Sequence, residues 1–189
     1  ALAQGFLNAG EPAPLMILSR NTIDHALVMY GAMLAGCPVV PVTPAYALLS
    51  QDFARLNYVD TLVEPKFIYV EDGAEYQRGL DGMAVGDRRV LYSRNAPIGY
   101  RSEALEDFAA PGGNSVSEAY DKLTPETVAK YMLTSGSTGE PKAVINTHGM
   151  IAANAKMIRS VWDEEKLAEV TGEVQVMCNF LPWSHTYGA

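Results

Sequence analysis

The stretch "MLTSGSTGEPKAV", residues 132–144, places a loop rich in glycine and hydroxyl side chains between two apolar runs. The run before the loop is "TVAKYMLT" over residues 127–134, and the run after it is "AVINT" over residues 143–147. Both runs contain the β-branched and aromatic residues that strands prefer. The pattern therefore predicts a strand, a loop and a second strand in immediate succession.

The loop itself has the composition of an anion-binding site. Its two glycines allow positive φ angles, which let neighbouring backbone N–H groups point to one side. The hydroxyl side chains supply further donors, and Lys142 supplies a positive charge. Pro141 directly precedes Lys142 and stiffens the backbone that directs its side chain. We expect this loop to bind a polyphosphate. The residues expected to contact it are Thr134, Ser135, Gly136, Ser137, Thr138, Gly139 and Lys142.

Two other kinds of phosphate-binding or catalytic loop match this sequence less well. A Walker loop needs Gly-Lys-Ser/Thr followed by a helix, whereas two residues separate Gly139 from Lys142 here and a strand pattern follows. A nucleophile elbow, G-x-S-x-G, is nearly matched around Ser137, but Ser135 stands at its first glycine position and a helix would again have to follow. A serine hydrolase built on Ser137 and His185 is a distant alternative, as is a flexible surface loop.

The rest of the chain predicts an α/β fold. Strand-length apolar runs alternate with helix-length stretches, which is typical of βαβ units and a mostly parallel sheet flanked by helices. Strands are expected over residues 15–18, 38–42, 66–70, 89–92 and 173–182, and helices over residues 22–35, 46–62 and from 147 past 162. Gly36 and Pro65 are placed to end the first two helices. Proline and glycine interrupt residues 94–124, which predicts a surface excursion with one short helix near residues 102–108.

The bulk composition fits one globular domain over residues 1–189. A net charge of −8 argues against a nucleic-acid-binding face. Residues 26–42 carry no charge, but glycine and proline interrupt them, so we expect no membrane-spanning helix; the amino terminus also lacks the pattern of a signal peptide. Cys37 and Cys178 lie in apolar runs without metal-binding spacing, which predicts buried thiols in the reducing cytoplasm.

Residues 131–148, "YMLTSGSTGEPKAVINTH", resemble the phosphate-loop signature of the adenylate-forming enzymes. This superfamily comprises acyl-CoA synthetases, nonribosomal adenylation domains and firefly luciferase. Two further stretches agree: "LAGCPVVPVTP" over residues 34–44 is similar to an earlier helix-to-strand signature, and "LPWSHTYGA" over residues 181–189 is similar to a later motif at the acyl pocket. Within the superfamily, Pro-Trp-Ser-His-Thr-aromatic-Gly is most similar to feruloyl-CoA synthetases.

The resemblance implies ATP-dependent activation of a carboxylic acid of the hydroxycinnamate or ferulate type, with ATP, Mg²⁺ and coenzyme A taking part. An ionised carboxylate attacks the α-phosphorus of ATP without a general base, pyrophosphate leaves, and the thiol of coenzyme A then attacks the acyl-adenylate. The resemblance implies catalytic roles for His185 and Lys142 and an acid pocket lined by Trp183, His185 and Tyr187. No residue of this chain is expected to ligate a metal directly.

Later parts of the family pattern are not found in these 189 residues: an adenine-side Tyr-Gly-x-Thr-Glu stretch, a ribose-binding aspartate and a carboxy-terminal domain that carries a lysine. We therefore expect residues 1–189 to be part of the large amino-terminal AMP-binding domain, inactive alone and able to self-associate. The alternatives are a non-catalytic nucleotide- or acid-binding module and an adenylation domain for another acid. His148 is interpreted as structural and His25 as an ordinary helix residue.

Overall fold

The computed structural model describes residues 1–135, 140–161 and 181–184, and in this part of the chain seven strands form one sheet. The strands are β1 (Leu15–Leu18), β2 (Val39–Val42), β3 (Phe67–Asp72), β4 (Arg89–Arg94), β5 (Ser102–Ala104), β6 (Val128–Ser135) and β7 (Pro141–Thr147). Their spatial order is β5-β4-β3-β1-β2-β6-β7. Neighbouring strands are parallel except for β6 and β7, which are antiparallel. The predicted mostly parallel α/β architecture is confirmed.

Eight helices accompany the sheet within the described residues. They are α1 (Leu2–Asn8), α2 (Ile23–Leu34), α3 (Pro44–Leu48), α4 (Ala54–Val63), α5 (Gly73–Asp81), α6 (Leu105–Phe108), α7 (Asn114–Asp121) and α8 (His148–Val161). Side chains of α1, α2 and α6 share one buried cluster with the sheet, and side chains of α3, α4 and α5 share a second cluster. The sheet is therefore covered on both faces.

The central strand β1 shows why the sheet needs helices on both faces. All four of its side chains are buried. Leu15 and Ile17 pack into the cluster with α1 and α2, whereas Met16 and Leu18 pack into the cluster with α3, α4 and α5. Successive side chains of a strand point to opposite faces, so a strand that is apolar at every position is stable only when both faces are covered.

The helix that follows β1 begins and ends where the sequence predicts. Thr22 caps its first turn, because the side-chain oxygen accepts a hydrogen bond from the backbone N–H of His25 at 3.1 Å. Beyond its last residue, Gly36 adopts a φ of 76°, in the left-handed region that glycine tolerates best. The helix predicted over residues 22–35 is confirmed as α2.

The prediction of one continuous helix over residues 46–62 is wrong, because α3 and α4 are separate helices. Between them, Ser50 Oγ accepts a hydrogen bond from the backbone N–H of Phe53 at 3.0 Å, and Asp52 accepts one from Ala54 at 3.1 Å. Short polar side chains that bond nearby backbone N–H groups compete with helical hydrogen bonds. Phe53 takes a φ of 52°, which a continuing right-handed helix does not allow.

The stretch over residues 94–124 contains more regular structure than a surface excursion. The unpredicted strand β5 pairs in parallel with β4 and extends the sheet. The short helix predicted near residues 102–108 is α6, and its Phe108 packs edge-on against Phe6 of α1 with ring centroids 4.9 Å apart. Three residues are too few to show an alternating pattern, which explains why β5 was not predicted. The helices α1, α5 and α7 are further unpredicted elements.

The end of the described chain agrees in part with the sequence. The helix predicted from residue 147 is α8, which begins at His148 and is described to Val161. Most of the strand predicted over residues 173–182 lies outside the described residues, as does Cys178, whereas Cys37 is buried as predicted. Among the described residues, no helix combines the length and the apolar character that a bilayer crossing requires.

Candidate functional site

The carboxyl ends of β1, β2, β3 and β6 lie along one edge of the sheet because these strands are parallel. We call this edge, formed by residues 19–21, 43–44, 71–72 and 134–135, the carboxyl edge. In the sheet, β2 lies on one side of β1, whereas β3 and β4 lie on its other side. The direction of the connections therefore reverses between β1 and β3. In open α/β sheets, ligands bind outside the carboxyl ends of the strands where the direction of the connections reverses. The carboxyl edge is therefore the candidate site.

The predicted phosphate loop joins β6 to β7 at the carboxyl edge. The two strands form an antiparallel hairpin in which Thr134 lies opposite Lys142, and Ser135 lies opposite Pro141. Residues directly opposite each other in such a pair project from the same face, so Thr134 and Lys142 are neighbours. The Lys142 side chain is exposed, and it takes part in none of the ion pairs found among the described residues. Its charge is available to a ligand.

The hairpin confirms the predicted order of strand, loop and strand. A Walker loop and a nucleophile elbow both lead into a helix, whereas this loop leads into β7. The serine hydrolase alternative therefore lacks its structural context. The roles expected for several residues remain predictions because those residues lie outside the described part of the chain. They are Gly136, Ser137, Thr138, Gly139, His185 and Tyr187.

Residues 181–184 lie against the carboxyl end of β1, about 160 positions away in the sequence. Asn21 Nδ2 donates a hydrogen bond to the carbonyl oxygen of Leu181 at 2.8 Å, and Asn21 Oδ1 accepts one from the backbone N–H of Trp183 at 2.8 Å. The ring of His25 meets the indole of Trp183 edge to face, with centroids 5.3 Å apart and planes at 81°. The structure therefore places Trp183, a predicted acid-pocket residue, at the carboxyl edge.

A cavity of about 240 Å³ lies between residues 181–184 and the strand ends. Ser19 and Asn21 after β1, Thr43 after β2, and Ser184 contribute to its polar lining. In the parallel pair of β2 and β6, Val39 lies opposite Lys130. Because β2 and β6 are parallel neighbours, Thr43 and the phosphate-loop hairpin lie at the same edge of the sheet.

A larger cavity of about 640 Å³ lies elsewhere, among α1, α2 and α6. None of the predicted site residues lines it. Its walls include Leu27 and Tyr30 of α2, which are 53% and 59% exposed. Exposed apolar side chains of this kind favour association with other surfaces, so self-association of the chain stays a prediction. The smaller cavity at the strand ends remains the candidate site.

Sequence analysis missed a polar cluster at the end of β1. Ser19 and His25 are only 3% and 1% exposed. His25 Nδ1 lies 2.7 Å from Ser19 Oγ and 3.2 Å from the carbonyl oxygen of Arg20. His25 lies in helix α2 as predicted, but its burial and its contacts with Ser19 and Arg20 were not predicted. The available signal was the polar residue that directly follows a wholly apolar strand, because such a residue reaches the carboxyl edge.

Glu71, at the end of β3, anchors a charged network along the same edge. It is 6% exposed, and its carboxylate accepts a hydrogen bond from the backbone N–H of Arg20 at 2.6 Å. The guanidinium of Arg20 lies 3.2 Å from Glu71 and makes two hydrogen bonds to Glu75, at 2.6 and 2.8 Å. Those bonds hold the pKa of Glu75 below its usual value. Because protein carboxylates balance Arg20, it is a weaker candidate for phosphate binding than Lys142.

The buried ring of His25 is expected to make the protein less stable in acid. Burial lowers the pKa of His25 to about 4, although the Arg20 carbonyl and Glu71 act in the opposite direction. The pKa of histidine in an unfolded chain is about 6.5, so above this pH the His25 ring is neutral in both the folded and the unfolded protein. Between pH 6.5 and 4 the unfolded state binds a proton that the folded state excludes. We expect the free energy of unfolding to fall by about 2–3 kcal/mol across this window.

Urea unfolding at pH 7.5 and pH 4.5 measures this loss, and the variant His25→Asn provides the comparison because its side chain does not titrate. The variant has its own stability, so the quantity to compare is the change in unfolding free energy between the two pH values. The wild type should lose about 2–3 kcal/mol more than the variant. Equal losses in the two proteins would contradict the assignment.

Comparison with known proteins finds a match over the whole chain. The family model described as AMP-binding enzyme matches residues 1–189. Human long-chain fatty acid transport protein 5 is 26% identical over 96% of this chain, and 3-hydroxybenzoate–CoA ligase of Aromatoleum is 28% identical over 78%. The acyl-CoA ligase sidI of Beauveria bassiana is 25% identical over 91%. The chain spans 25%, 27% and 29% of the lengths of these three relatives, respectively.

Solved structures of similar fold agree with the observed architecture. ATP-bound MatB from Rhodopseudomonas palustris aligns with a TM-score of 0.63 at 18% identity, covering 99% of this chain and 34% of its own. The luciferase-like enzyme of the mealworm Zophobas morio aligns with a TM-score of 0.62 at 20% identity, covering 78% of this chain and 33% of its own. At these identities the likeness concerns the fold alone.

Proposed function

We infer the function from one premise: this chain belongs to the AMP-binding enzyme family. We propose that the protein activates a carboxylic acid with ATP, releasing pyrophosphate, and then transfers the acyl group from the acyl-adenylate to the thiol of coenzyme A, with AMP as the leaving group. Relatives that are named as CoA ligases support this proposal. Because the chain spans less than a third of their lengths, the activity is proposed for the full-length gene product.

The observation that carries the proposal is the geometry of the β6–β7 hairpin. Thr134 and Lys142 are paired at the loop end of the hairpin, which lies at the carboxyl edge. The arrangement joins a hydroxyl donor with an exposed cation, and phosphate oxygens are strong acceptors for both. The cavity at residues 181–184 lies at the same edge of the sheet. A polyphosphate on the hairpin would therefore have space next to it for a second, smaller substrate.

The chemistry requires positioning and charge stabilisation, with no general base. A carboxylate is already ionised at neutral pH, so one of its oxygens attacks the α-phosphorus of ATP directly. A bond between that oxygen and the α-phosphorus forms, the bond from the α-phosphorus to the oxygen bridging the β-phosphate breaks, and pyrophosphate leaves. Lys142 stabilises negative charge on the leaving phosphates. We assign His185 to the carboxylate and the α-phosphate on the family resemblance.

Magnesium is proposed to reach the site on the phosphates of ATP. Across residues 1–135, 140–161 and 181–184, no group of three His, Cys, Asp or Glu side chains is arranged to hold a metal ion. Mg²⁺ keeps most of its water and binds through substrate phosphates with few protein ligands, so the phosphates of ATP would carry it. Bound there, Mg²⁺ would neutralise phosphate charge, and the contribution of this chain would be the hydrogen bonds and the charge of Thr134 and Lys142.

We propose that the acid is aromatic, of the hydroxycinnamate type. Trp183 is partly buried and stands in the chain between Pro182 and Ser184, which line the cavity, and an indole can pack against an aromatic ring in an edge-on or offset geometry. His185 and Tyr187 follow it in the chain and are assigned to the same pocket. One relative is named for 3-hydroxybenzoate and another for long-chain fatty acids, so the class of acid is the feature to test.

Comparison of kcat/KM for ferulate, benzoate and a medium-chain fatty acid with the full-length gene product tests the pocket. We expect ferulate to exceed the fatty acid by at least about tenfold, because each additional apolar contact in a pocket discriminates by that order. Acid-dependent release of pyrophosphate from ATP measures the rate. The variant Trp183→Leu keeps an apolar side chain but removes the ring, so it should lower kcat/KM for ferulate more than for the fatty acid. A preference for the fatty acid in the wild type would refute the aromatic pocket.

A further inference from the structure

Asn21 occupies an unusual position, between the end of β1 and the cap of α2. Its side-chain amide bonds two backbone groups of a single distant segment, the carbonyl of Leu181 and the N–H of Trp183, each at 2.8 Å. A donor and an acceptor two residues apart are the pair that a neighbouring strand would engage. The amide of Asn21 therefore binds residues 181–183 through one donor and one acceptor at the same time.

The orientation of the amide follows from its partners. The carbonyl of Leu181 can only accept, and the N–H of Trp183 can only donate. Rotating the amide by 180° would set its NH₂ group against an N–H and its oxygen against a carbonyl, which loses both hydrogen bonds. The two bonds therefore define one position of residues 181–183 relative to the end of β1.

His25 provides a second contact with the same segment. Its Nδ1 is held by Ser19 and by the carbonyl of Arg20, both at the end of β1, and its ring packs edge to face on Trp183. Asn21, which directly precedes the cap residue Thr22, thus binds the backbone N–H of Trp183. His25, in the first turn of α2, contacts the indole of Trp183. Both side chains are positioned by the same strand.

We propose that Asn21 is a positioning residue, which ties residues 181–183 to the end of β1 and so orients Trp183 in the acid pocket. The identification of the pocket as an acid pocket rests on the proposed function. The two hydrogen bonds that join Asn21 to Leu181 and Trp183 do not depend on it. Asn21 is exposed, and its replacement leaves no buried group without a partner, so the fold should survive its loss. The effect should concentrate on the acid, because Thr134 and Lys142 lie on the β6–β7 hairpin, away from the hydrogen bonds that Asn21 makes.

The test uses the full-length gene product in three variants. Asn21→Ala removes both hydrogen bonds, and Asn21→Asp keeps the acceptor for Trp183 N–H while replacing the donor to Leu181. Asn8→Ala is the matched control, because Asn8 is an exposed asparagine on α1 that bonds only Gln4 among the hydrogen bonds found in the described residues. Two quantities are measured: hydrogen exchange of the Trp183 amide without substrates, and the KM values for acid and for ATP.

Asn21→Ala should speed exchange of the Trp183 amide by roughly tenfold and raise the KM for the acid by a similar factor, with the KM for ATP unchanged. Asn21→Asp should show smaller changes in both quantities, and Asn8→Ala none. If the exchange rate of the Trp183 amide is unchanged in Asn21→Ala, the proposed attachment of residues 181–183 by Asn21 is overturned, whatever the activity. Faster exchange with an unchanged KM for the acid would overturn the positioning role. Absence of acid-dependent pyrophosphate release in the wild type would instead refute the proposed function, and the exchange measurement would still decide the tie.

Discussion

Replacement of Lys142 by alanine in the full-length gene product is expected to lower acid-dependent release of pyrophosphate by about 100-fold. Lys142 lies opposite Thr134 at the mouth of the hairpin, and its side chain is exposed. The substitution removes the cation that would stabilise negative charge on the departing β- and γ-phosphates. Initial rates at saturating ATP and acid measure the loss at the chemical step.

Two further variants separate charge from other effects. Lys142→Arg keeps the positive charge and should retain more activity than Lys142→Ala, although its planar group does not reproduce a compact ammonium. Lys66→Ala is the control: Lys66 is also exposed, but it directly precedes β3, at the end of the sheet opposite the carboxyl edge. Pyrophosphate release that is unchanged in Lys142→Ala would refute the assignment of the loop.

Replacement of Phe6 by alanine is expected to lower the free energy of unfolding by about 3–5 kcal/mol. Phe6 is 1% exposed and packs edge-on against Phe67 of β3 and Phe108 of α6, at centroid distances of 5.3 and 4.9 Å. The substitution leaves a cavity where three elements meet. Because a domain is typically stable by only about 5–15 kcal/mol, the variant should lose a large part of its stability. Urea unfolding at neutral pH measures the loss.

The neighbouring residue Leu7 gives the matched comparison. Leu7 lies on the same helix but is only partly buried, so Leu7→Ala should cost clearly less than Phe6→Ala. Phe6→Leu, which keeps an apolar side chain, should fall between the two. A loss in Phe6→Ala no larger than in Leu7→Ala would contradict the packing of α1 on the sheet.

The candidate site is assembled from three segments that are far apart in the sequence. The segment from the end of β1 to the first turn of α2 supplies Asn21 and His25, the β6–β7 hairpin supplies Thr134 and Lys142, and residues 181–184 supply Trp183. They meet because β1, β2 and β6 are parallel neighbours whose carboxyl ends share an edge. The order of the strands therefore determines which residues can act together.

Strong local signals explain the parts of the fold that sequence predicted. β1 and β2 are short, wholly apolar runs and β3 is apolar over its first four residues, and such runs are typical of parallel strands covered on both faces. Thr22 and Gly36 mark the ends of α2 because a helix end needs a side-chain acceptor at its start and a residue tolerant of positive φ after its end. The order of strand, loop and strand around the phosphate loop was predicted for the same reason.

Weak or conflicting local signals explain the parts that sequence did not predict. Residues 46–62 have a helical pattern of apolar positions, yet the side chains of Ser50 and Asp52 accept hydrogen bonds from the following backbone N–H groups and so interrupt the helix. The strand β5 is stabilised by pairing with β4, so three residues form a strand without a pattern of their own. His25 looked ordinary because its partners are set by the turn after β1 and by a segment far along the chain.

The amino-acid pattern alone was sufficient to indicate an α/β sheet, a glycine- and hydroxyl-rich loop between two strands and a charged Lys142 beside it, because periodicity, glycine content and residue type act within a few positions. It was not sufficient to place Lys142 opposite Thr134, to bring Trp183 against Asn21 and His25, or to balance the charge of Arg20 with Glu71 and Glu75. These contacts join residues up to 162 positions apart. They depend on strand order and register, which arise from packing the whole sheet between its two layers of helices.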